Sequence, residues 1–334
     1  LQGQLRRKVL SSVDSLLNLV KGDMDRVKKM LIASASSEVN ILEDICGHIL
    51  SSGGKRLRPL ILLLSAKACE YKGDEHIPLA CVLEYIHTAT LLHDDVIDHA
   101  EIRRGNSSAN KLWGNQSTIL AGDFFFSKAF SIAVETGNIR ALKVIANTSK
   151  LIAEGETFQV SKTDDPLISE DDYIYIVKNK TAILLAAASR IGGILGNVTA
   201  EKEKAFEDYG LNIGIAFQIM DDVMDYYSNE NDFGKTIGKD FQEGSITLPF
   251  IAALNKSSPA DKNKLIEVMQ NENRDSKELV EVINIIDKYQ GNAYAVRKAE
   301  QHVKKAIDSL SIIADPEKMK PLIELAEFIM ERKS

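Results

Sequence analysis

The sequence predicts an all-α fold in one domain. Apolar residues recur at three- and four-residue spacing through most of the 334 residues, only 7 prolines interrupt them, and alternating strand patterns are scarce. No Ser/Gly-rich linker divides the chain. The helices are therefore expected to form a single bundle, residues 1–334, packed around a central cavity.

In chain order, helices are expected over 5–32 and 36–50, the second stopped by Gly53 and Gly54. The stretch "GGKRLRP", residues 53–59, leads into a helix over 60–71. The next spans 78–98, with Pro78 suited to its first turn. Helices over 107–112, 117–135, 138–161, 170–195 and 201–227 follow, then 246–255, 260–271, 276–288, 292–310 and 316–332. Between 227 and 246 runs the longest expected loop, "SNENDFGKTIGKDFQEGS", residues 228–245. Gly234, Gly238 and Gly244 let it hinge. A loop this long is either a functional lid or a solvated surface segment.

Composition narrows the classes. With 44% hydrophobic and 27% charged residues the chain reads as soluble and globular. A net charge of −7 argues against a nucleic-acid surface, which needs a basic face. The most apolar run, "AILLAAASRIGGILG", is broken by Arg190 and is shorter than the ~20 residues of a span, so no transmembrane segment is expected. Cys46, Cys69 and Cys81 have no metal-site spacing and leave one unpaired. Reduced thiols in a cytoplasmic protein are expected.

Two acidic clusters carry the chemistry. "LLHDDVIDHAEIRRG", residues 91–105, holds Asp94, Asp95 and Asp98; "FQIMDDVMDYY", residues 217–227, holds Asp221, Asp222 and Asp225. Residues four apart share a helix face, so Asp94 stacks on Asp98 and Asp221 on Asp225. Asp95 and Asp222 point partly aside, as supporting groups or additional ligands. Clustered carboxylates repel unless protonated or neutralised by a cation. Magnesium takes one or two carboxylates and completes its shell with water and substrate phosphates. Each cluster alone reads equally as a solvated acidic face. The pair, each ending a strongly apolar helix, points to a metal-bridged diphosphate at the mouth of an apolar interior. An EF-hand lacks its loop and closing Glu, and only one Glu-x-x-His pair, Glu84 with His87, is present for a di-iron site.

Cations answer these acids. Lys55 and Arg58 sit in a glycine-led loop opening a helix, where backbone N–H groups also meet anions. Arg56 shares their charge, with no readable direction. Arg103 and Arg104 follow the first cluster and offer planar forks to phosphate oxygens. Lys180 and Thr181 interrupt an apolar helix, a costly place for an unpartnered cation. Lys235 and Lys239 lie in the glycine loop, and His87 stands seven residues before Asp94. Two basic groups beside two acidic clusters suggest two anionic substrates, one held through metal and one held directly.

Over nearly its whole length, and in the family's order, the chain resembles the trans-polyprenyl diphosphate synthases. The resemblance rests on "GGKRLRP", "HTATLLHDDVID", "RRG", "GETFQ", "KT", "FQIMDDVMD", "GKTIGKD" and "EGSITLP". It implies a helical bundle around an elongation cavity, a homodimer, and Mg²⁺-dependent condensation of isopentenyl diphosphate with an allylic diphosphate. It further implies that Asp94 and Asp98 bind Mg²⁺ with Asp95 near them, and that Asp221 binds another with Asp222 and Asp225. Arg103, Lys180 and Lys235 would hold the allylic diphosphate. Lys55, Arg58, His87 and Arg104 would hold isopentenyl diphosphate, and Thr181 and Gln218 would line the reacting region. Ser245 departs from the Lys that the family often has in the last motif.

Small residues one turn below Asp94, Ala89 and Thr90, with Ile86 a turn deeper, leave a growing chain room. By resemblance, the product is long, about octaprenyl, made from farnesyl diphosphate for a quinone side chain. Alternatives are a shorter geranylgeranyl product, a cyclase or diphosphate hydrolase on the same fold, and an inactive partner subunit. The complete "GGKRLRP" with His87 favours elongation, since a cyclase needs no second diphosphate site. Both acidic clusters are intact, unlike those expected of an inactive partner.

Overall fold

The computed structural model describes residues 14–51, 53–54, 56–103, 105–227, 238–271, 274–313 and 315–331. Its helices are α1 Lys21–Ser34, α2 Asn40–Ser51, α3 Leu57–Ala68, α4 His76–Ile97, α5 Ala109–Glu135, α6 Ile139–Ser161 and α7 Glu170–Val177. A π-helical turn, Lys178–Ala182, joins α7 to α8 Ile183–Leu195. Then come α9 Ala200–Tyr227, α10 Lys239–Gln242, α11 Leu248–Lys256, α12 Pro259–Met269, α13 Ser276–Lys288, α14 Gly291–Ser309, a 3₁₀ turn Leu310–Ile312 and α15 Pro316–Glu331. The all-α expectation holds. The only strands among the described residues are β1 Ile102–Arg103 and β2 Asn106–Ser107, an antiparallel pair pairing Ile102 with Ser107 and Arg103 with Asn106.

Burial ranks the helices. In α8 every residue but Arg190 is buried, and α4 buries its whole middle, including Leu79, Leu83, Tyr85, Ile86 and Ala89. Helices apolar all round belong in the centre of a bundle. Accordingly α4 packs along α5, while α8 packs between α3 and α9, and α9 also lies along α14. Arg190 escapes the apolar surroundings by pairing with Glu203 at 2.8 Å and Glu207 at 3.2 Å. Peripheral helices begin on side-chain caps. Asp275 accepts from the backbone N–H groups of Lys277 and Glu278, and Glu278 accepts from that of Asp275, a reciprocal box that fixes the start of α13.

Several boundaries differ from expectation: the helix expected over 60–71 is Leu57–Ala68, and that expected over 5–32 is broken at Val20 before Lys21–Ser34. The helices expected over 107–112 and 117–135 are one helix, α5, kinked where Gly114 takes φ 79°. The helix expected over 170–195 is wound wider at the π turn. The loop expected over 228–245 contains the short helix α10, and residues 228–237 lie outside the described residues. By length and composition α5 is long and apolar enough to cross a membrane. It lies against α4, with Phe125 fully buried and its ring 5.2 Å from that of Tyr85.

Candidate active site

The last turn of α4 and the C-terminal half of α9 border one cavity of about 290 Å³. Asp94 and Asp98 line it from α4, Gln218 and Asp222 from α9, and Lys180 and Thr181 from the π turn. Segment 243–247 borders it as well. Asp98 ends α4, its N–H donating to the Asp94 carbonyl at 2.8 Å.

Lys180 projects between two helices of carboxylates. Its ammonium donates to Glu156 of α6 at 2.8 Å and stands 3.7 Å from Asp94. Burial pushes Asp94 above the usual carboxylate range, against the pull of Lys180. Burial likewise pushes Glu156 up to about 7. It draws the Lys180 ammonium down, but Asp94 and Glu156 outweigh it and leave the group above its ordinary value. Lys180 and Thr181 lie within the π turn. They reach the cavity on the face that Tyr173, Ile176 and Val177 of α7 also present to it. On the other side Gly155 lets α6 come close: a Cβ there would stand 2.8 Å from Asn179 Cβ and 3.0 Å from the Lys180 nitrogen.

Within each cluster the second aspartate is the buried one. Asp95 is fully buried and its Oδ1 accepts from Arg103 Nε at 2.5 Å, while its carbonyl accepts from Asn110 at 3.0 Å. The β1–β2 turn folds Arg103 back into that pairing. Asp222, also buried, accepts from the Tyr173 hydroxyl at 2.6 Å and the Gln218 amide at 2.7 Å. Gln218 Oε1 accepts in turn from Thr181 Oγ1 at 3.0 Å. Burial pushes Asp222 up to about 7, opposed by its two hydrogen-bond donors. Asp221 and Asp225 are half-buried, and Asp225 accepts from the Asp240 N–H at 3.1 Å.

The basic loop meets α4 beside this region. Arg56, in the left-handed conformation at φ 47°, precedes α3 and turns inward, donating to Glu84 and to the Leu50 carbonyl at 3.1 Å. Glu84 lies one turn before His87, so this buried pair ties the loop to α4. Arg58 and His87 are half-buried. Lys55, Arg104 and Lys235 lie outside the described residues. Ile86 and Ala89 are fully buried, and Thr90 donates to the His87 carbonyl at 2.9 Å. Among the described residues the cavity lining includes Leu91 rather than these three.

Sequence reasoning named neither Glu156, Tyr173 nor Asp240. Glu156 and Asp240 lie inside quoted motifs, "GETFQ" and "GKTIGKD". Tyr173 has no local signal, since its partner is 49 residues away. Among the described residues no three His, Cys, Asp or Glu side chains stand close enough to hold a metal ion by themselves. A donor set of separated carboxylate oxygens fits a hard cation whose shell is completed by water and phosphate.

The sequence profile of the polyprenyl synthetase family matches residues 39–286. The chain belongs to this family. It is 35% identical to the octaprenyl diphosphate synthase of Escherichia coli over 322 residues, 96% of this chain and 99% of that one. It is 36% identical over 290 residues to a short chain isoprenyl diphosphate synthase of Methanothermobacter thermautotrophicus, 86% of this chain and 89% of that one. A crystal structure of polyprenyl synthase from Caulobacter crescentus, complexed with calcium and isoprenyl diphosphate, superposes with a TM-score of 0.92 at 36% identity. It covers 96% of this chain and 98% of that one. As a polyprenyl synthetase the chain is a prenyltransferase that makes a polyprenyl diphosphate.

Proposed function

We propose that the chain condenses isopentenyl diphosphate head-to-tail with an allylic diphosphate, farnesyl diphosphate by preference, using Mg²⁺. The product is a long all-trans polyprenyl diphosphate of about the octaprenyl class, destined for a quinone side chain. The carrying observation is Lys180 at one cavity with Asp94, Asp98 and Asp222. A cation between acids is what a charged diphosphate and its metals would engage. The octaprenyl relative supports a long product and the short chain relative keeps geranylgeranyl diphosphate as the second reading.

Asp94, Asp98, Asp221 and Asp225 would hold Mg²⁺, which supplies charge neutralisation at the departing oxygens. Arg103, Lys180 and Lys235 orient the allylic diphosphate, with Lys180 exchanging its carboxylate partners for phosphate oxygens. Lys55, Arg58, His87 and Arg104 hold isopentenyl diphosphate. The allylic C–O bond breaks with its electron pair leaving on the diphosphate. The isopentenyl double bond attacks the resulting allylic cation, and a proton is lost to the departing pyrophosphate. No protein nucleophile is required. Thr181 and Gln218 face the reacting region, and closure of residues 228–245 would exclude the water that quenches the cation.

A homodimer fits the exposed apolar residues Leu112, Ile119, Leu120 and Val134 of α5. A cytoplasmic location fits three free thiols: burial pushes Cys46 and Cys81 up to about 12 and Cys69 to about 11. The test is incubation with Mg²⁺, farnesyl diphosphate and labelled isopentenyl diphosphate, followed by product sizing. A ladder ending near eight isoprene units (roughly 5 Å each, about one helical turn) is expected. Cyclic or hydrolysed farnesyl products without elongation would overturn the assignment.

A further inference from the structure

Asp222 is only 4% exposed, and both of its carboxylate oxygens are engaged. Oδ2 accepts from the Tyr173 hydroxyl at 2.6 Å and Oδ1 from the Gln218 amide at 2.7 Å. Asp222 accepts from both neighbours: the Tyr173 hydroxyl donates to Oδ2 and Gln218 presents its NH₂ to Oδ1. The Gln218 carbonyl then points the other way, where it accepts from Thr181 Oγ1 at 3.0 Å. The bonds run from α7 through α9 to the π turn. Tyr173 is itself 4% exposed and, with Asp222, borders the cavity.

We propose that Tyr173 is a positioning residue for the condensation. It locks Asp222 as the acceptor that orients the Gln218 amide, and through that amide the Thr181 hydroxyl, at the reacting region. Asp222 belongs to this relay and is not a metal ligand. The inference rests on the prenyltransferase reading above.

Removing the Tyr173 hydroxyl leaves one buried Asp222 oxygen without its donor. The carboxylate then rotates, and the Gln218 amide can flip so that NH₂ meets Thr181 instead of C=O. No diphosphate contact and no metal ligand is lost. Tyr173→Phe therefore lowers kcat by about tenfold through misplacement, with KM for each diphosphate changed by less than about twofold. Asp222→Asn keeps an oxygen for Gln218 and turns an NH₂ toward the tyrosine. In that background Tyr173→Phe causes no further loss, because the relay is already cut.

The experiment measures kcat and both KM values for the two single variants and the double variant. It adds calorimetric titration of Mg²⁺ in the presence of an unreactive allylic thiolodiphosphate. Non-multiplicative losses in kcat, with Mg²⁺ affinity in Asp222→Asn weakened by less than about 100-fold, are expected. Multiplicative losses, an effect confined to KM, or a Mg²⁺ affinity weakened by more than the roughly 10–100-fold that disturbing a supporting group costs would overturn the proposal. Should Tyr173→Phe fail to fold, the kinetics of the near-isosteric Asp222→Asn, which cuts the same relay, decide: a fall in kcat with both KM values kept supports the proposal, and an unchanged kcat or an effect confined to KM overturns it. An inactive wild type refutes the prenyltransferase reading instead, and the titration still reports whether Asp222 binds metal.

Discussion

Gly155→Ala tests how the π turn is held against α6. The added Cβ would stand 2.8 Å from Asn179 Cβ and 3.0 Å from the Lys180 nitrogen. Carbon atoms rest at about 3.5–4.0 Å, so the two elements must separate by about 0.7 Å or more. Neither neighbour can swing away, since one is a Cβ and the other is backbone. Overpacking of this kind costs about 1–3 kcal/mol. Alanine returns up to about 1 kcal/mol of helix propensity at this position. The net loss of stability is about 0–2 kcal/mol, and at about 2–4 °C per kcal/mol Tm falls by no more than about 8 °C. The catalytic effect is larger, because the displaced segment carries Lys180 and Thr181. A misplacement approaching 1 Å costs up to about 10²-fold. Calorimetry for Tm and labelled isopentenyl diphosphate incorporation for kcat separate the two effects. The expected outcome is a folded protein whose kcat has dropped about ten- to a hundredfold. A variant with wild-type kcat and Tm would refute the reasoning, since the contact would then be absorbed without moving Lys180.

Four further outcomes are expected. Asp94→Asn or Asp221→Asn lowers condensation by at least about 10²-fold with Tm unchanged or raised, since a repulsive carboxylate is lost; turnover at saturating Mg²⁺ near wild type would defeat the metal assignment. Ala89→Phe, one turn of about 5.4 Å below Asp94, shortens the main product to about four isoprene units in chain-length analysis of the folded variant; Ala89 is buried outside the cavity lining, and an unchanged product from a folded, active variant would show that it serves helix packing instead. Arg274, 5% exposed, donates to Asp164 and to the carbonyls of Met269 at 2.6 Å and Gln242 at 3.4 Å, and so braces the segment bordering the cavity. Arg274→Ala costs about 1–3 kcal/mol in urea unfolding, below the value for a fully buried pair because Asp164 reaches water. His302 accounts for a pH effect: burial, then Lys305 and Lys298, lowers it from 6.5 to about 4. Below about pH 6.5 the unfolded chain takes up a proton that the native ring refuses, so stability falls as pH drops toward about 4 and is fully present above 6.5. The ring is half-buried, so the loss is on the order of 1–2 kcal/mol, and His302→Gln abolishes that part of the pH dependence in urea titrations.

The helices were legible because their apolar spacing is local. Thus the spacing places a helix over 276–288, the limits of α13, and the structure adds the Asp275 and Glu278 cap that starts it. The π turn was not legible. "KNKTA" carries one extra residue in a turn, which leaves no mark in composition, and only the cost of a lysine in an apolar helix pointed to Lys180. Gly114 shows the reverse case: a kink that looked like a gap between two helices. Arg56 was unreadable because its direction follows from a left-handed φ, which charge pattern does not encode. The acids themselves were plain. Their partners were not, because Tyr173 reaches Asp222 across 49 residues and Lys180 reaches Glu156 across 24.

Both clusters bury one of two neighbouring aspartates against donors, but only the first turns its outer pair to the cavity. Adjacent helical residues point about 100° apart, so two consecutive acids cannot share one face. In α4, Asp94 and Asp98 line the cavity while Asp95 is fully buried against Arg103. In α9, Asp221 and Asp225 are half-buried and outside the cavity lining, while Asp222 is buried against Tyr173 and Gln218 and borders the cavity itself. A buried carboxylate is costly without donors, and each inner aspartate has them. Each inner acid holds its donors in place: the Arg103 guanidinium in the first cluster, the Tyr173 hydroxyl and the Gln218 amide in the second. The outer acids alone would repel one another without direction. The inner acid ties its helix to a second element, β1 through Arg103 in one case and α7 through Tyr173 in the other. Mutating an outer aspartate should therefore remove a charge, whereas mutating an inner one should disturb the neighbour it holds.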